Sequence, residues 1–175
     1  MRSPIVLLTV VTLMSLSSGC CLKFSDLTPG TTYNVGDTLT TSNTNIVVER
    51  FQWSNGNWTS NGRVRVDNRQ YAQGTGNDLT TDNANLNFQF DYPIDNISFK
   101  FGDLAGNINI RVNGDLKNEQ NFINLNGIFI GGVQMTVDAF QQGNNWYGEV
   151  VLDGTINDFA VGGQELWLDD ICPDP

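Results

Sequence analysis

The sequence contains no histidine, and its 9 lysines and arginines stand against 19 aspartates and glutamates, a formal net charge of −10 at neutral pH. The first absence removes Ser-His-Asp and Cys-His nucleophilic catalysis, the usual zinc sites and the commonest general base near neutrality. A carboxylate pair remains a route to glycoside hydrolysis. No two of the acids stand on a recognisable catalytic framework, however, and the chain reads as non-catalytic. The shortage of cations argues against a nucleic-acid partner, which is bound by neutralising phosphates, and against an anionic membrane surface. Divalent cations are compatible with it. Alanine, lysine and glutamate, all good helix formers, are scarce, and no stretch keeps a helical period. Tandem repeats and proline-rich linkers are missing as well, so one domain is expected.

What is present begins with a leader. Met1-Arg2 is a short basic start, Ile5 to Leu16 is apolar, and Ser17-Ser18-Gly19 supplies small residues before Cys20. The apolar run falls short of the roughly 20 residues that span a bilayer. Residues 1–19 therefore read as a secretory signal cut before Cys20, leaving 20–175 as the domain. Small residues ahead of a cysteine also resemble a bacterial lipobox, in which Cys20 receives lipid and holds the protein at the cell envelope. Ordinary cleavage at the same bond gives a secreted protein instead. Export brings the cysteines into an oxidising compartment. If Cys20 carries lipid, Cys21 is left to pair with Cys172; without lipid, Cys20 and Cys21 compete for it.

Asparagine outnumbers even the 18 glycines. Clean alternation of apolar and polar residues marks Leu86–Asp91, Ile97–Phe101, Ile108–Asn113 and Val133–Val137 as strands. Shorter or less regular runs are Lys23–Leu27, Ile46–Trp53, Gly62–Val66, Glu149–Leu152, Phe159–Val161 and Leu166–Ile171. Turn signals lie at Ser54-Asn55-Gly56-Asn57, Ala105-Gly106-Asn107, Asn113-Gly114-Asp115 and Gln142-Gly143-Asn144. Strands that bury one face and wet the other suit two packed sheets. The expectation is an all-β, single-domain β-sandwich of about ten strands, most simply a jelly roll.

The segments Phe24-Ser25-Asp26-Leu27-Thr28-Pro29-Gly30-Thr31-Thr32-Tyr33-x-Val35-Gly36-Asp37, Gly74-x-Gly76-Asn77-Asp78-Leu79, Phe101-Gly102-Asp103-Leu104-x-Gly106-Asn107, Ile130-Gly131-Gly132-Val133 and Gly162-Gly163-Gln164-Glu165-Leu166-Trp167-Leu168-Asp169-Asp170 resemble a group of secreted bacterial domains. That group is similar to the galactose-binding-like jelly rolls to which many carbohydrate-binding modules belong. The resemblance implies adjacent first and last strands, with a structural calcium near them. Asp26, Asp37 and Asp170 are the candidate oxygen ligands, and Asp78, Asp82 and Asn83 form a second acidic group. The tail should pair with Cys21–Leu27, and if Cys21 lies opposite Cys172, then Lys23 falls opposite Asp170.

Sugar-binding sandwiches use exposed rings as platforms for a pyranose, with amides and carboxylates gripping its hydroxyls. Trp58, Tyr71, Trp146 and Tyr147 lie beside Asn- and Gly-rich loops and are the candidate ligand-binding residues, whereas Trp53 and Trp167 are expected to support the fold. The function expected is recognition of carbohydrate or polysaccharide by a secreted or cell-surface module. The alternative is a structural or adhesion protein of the envelope that binds protein partners and has no sugar site.

Overall fold

Alternation turns into strands almost throughout the computed structural model, which describes residues 21–174. The leader and the lipidation expected at Cys20 lie outside the described residues. In chain order the strands are β1 (Thr32–Asn34), β2 (Thr38–Thr41), β3 (Thr44–Arg50), β4 (Arg63–Asp67), β5 (Asp78–Asp82), β6 (Ala84–Gln89), β7 (Ile94–Val112), β8 (Asp115–Glu119), β9 (Phe129–Ile130), β10 (Val133–Gln142), β11 (Asn145–Ile156) and β12 (Phe159–Asp174). A 3-10 turn occupies Phe122–Leu125.

All the pairings are antiparallel, and they link the 12 strands into one continuous sheet. Two long neighbours, β7 and β12, form its spine. At one end of the spine the order is β2-β3-β6-β12-β7-β8; at the other it is β1-β4-β5-β12-β7-β11-β10-β9. The sheet folds over itself in a sandwich-like manner. Phe99, near the start of β7, meets Phe159, at the start of β12, with ring centroids 5.8 Å apart. Phe88 also stacks on Phe159, and Phe122 packs on Phe99 and Phe101. These rings join Ile46, Leu86, Ile110, Val150 and Leu168 in one dry core.

The bend in the spine corrects the sequence reading. Ala105-Gly106-Asn107 is no hairpin turn, and Ile97–Phe101 and Ile108–Val112 belong to one 19-residue strand. Phe159–Val161 and Leu166–Ile171 are likewise parts of the 16-residue β12. Gly106, at φ +83°, makes the corner, and a Cβ there would crowd Gln164. The Gln164 carboxamide oxygen accepts the Asn107 amide at 2.7 Å. Register shifts in β12 around Gly163–Leu166 complete the corner, since an unpaired residue bends and twists a strand.

Lys23–Leu27 forms turns, not a strand. Leu22 still bridges Ile171, the register that sets Cys21 against Cys172, and those two cysteines form a disulfide with Cα atoms 4.1 Å apart. The expected neighbouring of first and last strands thus shrinks to one bridge and a covalent bond, and the first complete strand, β1, pairs with β4. Lys23 and Asp170 make no ion pair; Asp170 accepts from the Thr75 hydroxyl at 2.8 Å.

Candidate binding groove

Strict alternation along Arg63-Val64-Arg65-Val66-Asp67 sends Val64 and Val66 into the core and turns Arg63, Arg65 and Asp67 to the opposite face. On β5 the same face carries Asp78, Thr80 and Asp82, and on β12 it carries Trp167 and Asp169. Register sets these residues in rows. Thr32, Arg65, Thr80 and Trp167 lie side by side across β1, β4, β5 and β12. Asn34, Arg63 and Asp82 form the row on one side, and Asp67 faces Asp78 on the other.

Residues 68–77, between β4 and β5, return across this face as a strap. Tyr71 sets its edge against the Trp167 indole at 5.3 Å between centroids, and the Arg69 guanidinium lies over both rings. The Ala72 amide donates to Asp78 Oδ2 at 3.2 Å, and the Gly76 amide to Asp169 Oδ2 at 2.9 Å. Two glycines let the strap come this close: a Cβ at position 74 would overlap the Asp169 carboxylate, and one at 76 the Lys23 carbonyl. The Lys23 carbonyl also accepts the Asn77 amide at 2.9 Å, so the disulfide-tethered N-terminal segment braces the strap.

The strap leaves three aspartates buried with different fates. Burial opposes ionisation of Asp67, but hydrogen bonds from Arg69 and from the Trp167 indole outweigh it and hold its pKa at about 2. Burial pushes Asp78 up to about 7, against the pull of the Ala72 amide and with help from the charge of Asp169. Asp169 is raised to about 6, again chiefly by burial. Asp78 Oδ1 and Asp169 Oδ1 have no hydrogen-bond partner. A fourth buried carboxyl, Asp103 on β7, is raised by burial to about 7, and its Oδ2 is also unpartnered.

Beyond the strap's edge the face opens into a groove of about 700 Å³, its floor built by β1, β4, β5 and β12 and one wall by the bend at Gly106 and Gln164. Arg63, Arg65, Arg69, Thr80, Asp82 and Trp167 line it. Guanidinium, hydroxyl, carboxylate and indole groups thus share a single concavity, which suits a polar ligand with many hydroxyls.

The four aromatics expected to bind ligand are not gathered there. Tyr71, with 36% of its surface exposed, stands at the groove's edge against Trp167. Tyr147 is buried and packs against Phe140. Trp146 lines a separate, smaller pocket beside Asp103 and Asn121. Trp58 is half exposed and lies over an apolar patch that includes Val35 and Val47.

Nor are the calcium candidates brought together. Asp26 accepts from the Thr41 hydroxyl at 2.5 Å and from the Ser42 amide, Asp37 accepts the Asn34 amide at 2.7 Å, and Asp170 is held by Thr75. Among the described residues no three acidic, cysteine or histidine side chains are grouped to hold a metal ion. The three carboxylates that the resemblance implies are thus not gathered into one donor set. Asp78 and Asp82, from the second acidic group, are parts of β5 rather than of a loop.

The groove's arginines were absent from the expected site, although Arg63, Arg65 and Arg69 account for three of only 9 basic residues within a few positions of one another. Comparison with known proteins adds no relative: no family model, curated protein or solved structure matches the chain significantly.

Proposed function

We propose that the chain is an exported, non-catalytic binding module of the jelly-roll type that recognises carbohydrate in the groove over β4, β5 and β12. The observation that carries this reading is the groove's lining: hydrogen-bonding groups of several kinds converge on one concave face beside the Tyr71–Trp167 pair. Saccharides ask for that combination, with hydroxyls gripped by planar polar groups and an apolar ring face set on an aromatic. The Cys21–Cys172 disulfide supports an oxidising, extracellular setting. A lipid on Cys20 would hold the module at the envelope surface.

Retention on insoluble polysaccharides and on a glycan array tests the reading, using the chain and its Tyr71→Ala and Thr80→Val variants. Binding that drops in both variants while the melting temperature holds supports the groove. Binding that is undiminished in both refutes it.

A second reading has its own observation. Trp58 is exposed over Val35 and Val47, a surface suited to a protein partner of the envelope. A protein that co-purifies with the chain and is lost on Trp58→Ala, with no glycan retained, would favour that reading.

A further inference from the structure

We infer that the saccharide recognised in the groove carries a carboxylate and that Arg65 receives it; this rests on the groove being a glycan site. Three arginines line the groove in a chain of net charge −10, but they are not equivalent. Arg63 is engaged by Asp82 at 3.1 Å, and Arg69 by Asp67 at 2.6 Å. Arg65 is exposed and makes neither a side-chain hydrogen bond nor an ion pair among the described residues. It is the groove's one uncommitted guanidinium.

Its neighbours favour a ligand over mere solvation. The residues directly opposite it are Thr32 on one side and Thr80 on the other, so a hydroxyl flanks the guanidinium on each neighbouring strand. A guanidinium presents a rigid fork that matches a carboxylate with two parallel hydrogen bonds. The adjacent threonines can then exchange hydrogen bonds with ring hydroxyls next to that carboxylate. A uronic acid offers both groups on one ring.

Charge balance narrows the class further. Asp67, Asp82 and Glu165 also line the groove and offset its three arginines. With no positive surplus in the groove and an acidic protein around it, a densely sulfated polymer is repelled. A single carboxylate, on the ring seated beside Arg65, matches the one free guanidinium.

The test is calorimetric titration of the chain with oligomers of galacturonate, glucuronate, mannuronate and guluronate. Their methyl esters, neutral oligosaccharides of the same length and a heparin-like polysulfate serve as comparisons. At least one acidic oligomer should bind about tenfold or more tightly than its ester. Arg65→Gln should erase that difference without lowering the melting temperature, and Arg65→Lys should keep part of it. Equal binding of acid and ester, an acid preference that survives Arg65→Gln, or polysulfate bound as tightly as uronate would each overturn the inference. If neutral oligosaccharides bind and no uronate does, the inference falls while the glycan reading stands. If no saccharide binds, both fall.

Discussion

Asp67 and Asp78 face each other across β4 and β5 and are both almost wholly shielded from water, yet their pKa values move in opposite directions, to about 2 and about 7. Asp67 stands where the groove begins and receives a guanidinium and an indole N–H. Asp78 lies beneath the strap, keeps one amide on one oxygen and has nothing on the other. The difference lies in the donors supplied, because burial alone raises any carboxyl. The groove side of this face is built to hold charge, and the strap side to exclude water.

Four changes break or sharpen that contrast. The largest effect is expected from removing the brace behind the strap. Replacing both Cys21 and Cys172 by alanine should cost about 5 kcal/mol in urea unfolding, given the length of the loop the disulfide closes. The strap amides should also lose hydrogen-exchange protection before those of β4. Gly76→Val, which drives a side chain into the Lys23 carbonyl, should cost about 3 kcal/mol by the same measurement.

Asp67→Ala strands the Arg69 and Trp167 donors and should cost about 2 kcal/mol at neutral pH. Because the Asp67 pKa is depressed, its contribution is present above the ordinary aspartate value near 4 and is lost as the pH falls towards 2. The variant should therefore approach the parent protein in strong acid. Asp78 behaves inversely. A carboxyl whose folded pKa is raised favours the native state in acid, and that advantage drains away as the pH climbs from about 4 through about 7. Asp78→Asn should stabilise by about 1 kcal/mol at pH 8 and show no gain at pH 5. The parent's melting temperature should rise between those two pH values on acidification; a flat profile would mean that the strap leaves these carboxyls solvated.

Much of this architecture is visible in the sequence. Alternation marks β6, β10 and the halves of β7, and the odd number of cysteines offers Cys21 and Cys172 as a pair once Cys20 is set aside. The spine was hidden because Gly106 looks like a turn and the Gly162-Gly163 pair interrupts the alternation between Phe159–Val161 and Leu166–Ile171. Whether a chain reverses or merely bends at a glycine depends on the neighbouring strand, which local sequence does not contain. β5 was hidden for a related reason. Asp78-Leu79-Thr80-Thr81-Asp82 resembles a polar loop unless a second layer, here the strap, covers its outer side. The groove had a usable signal in the alternation of Arg63, Arg65 and Asp67 against two core valines, and attention to aromatic residues passed over it.

β12 occupies the middle of the sheet, between β7 on one side and β5 and β6 on the other, although it is synthesised after every strand it joins. Until it emerges, β5 and β6 expose edges that nothing earlier in the chain fills, and the spine consists of β7 alone. Assembly of the two ends of the sheet therefore waits on β12, and a nascent chain halted before Phe159 has hairpins but no centre. A domain with this order of parts closes its sheet only once β12 is available to pair, a folding step of long sequence separation.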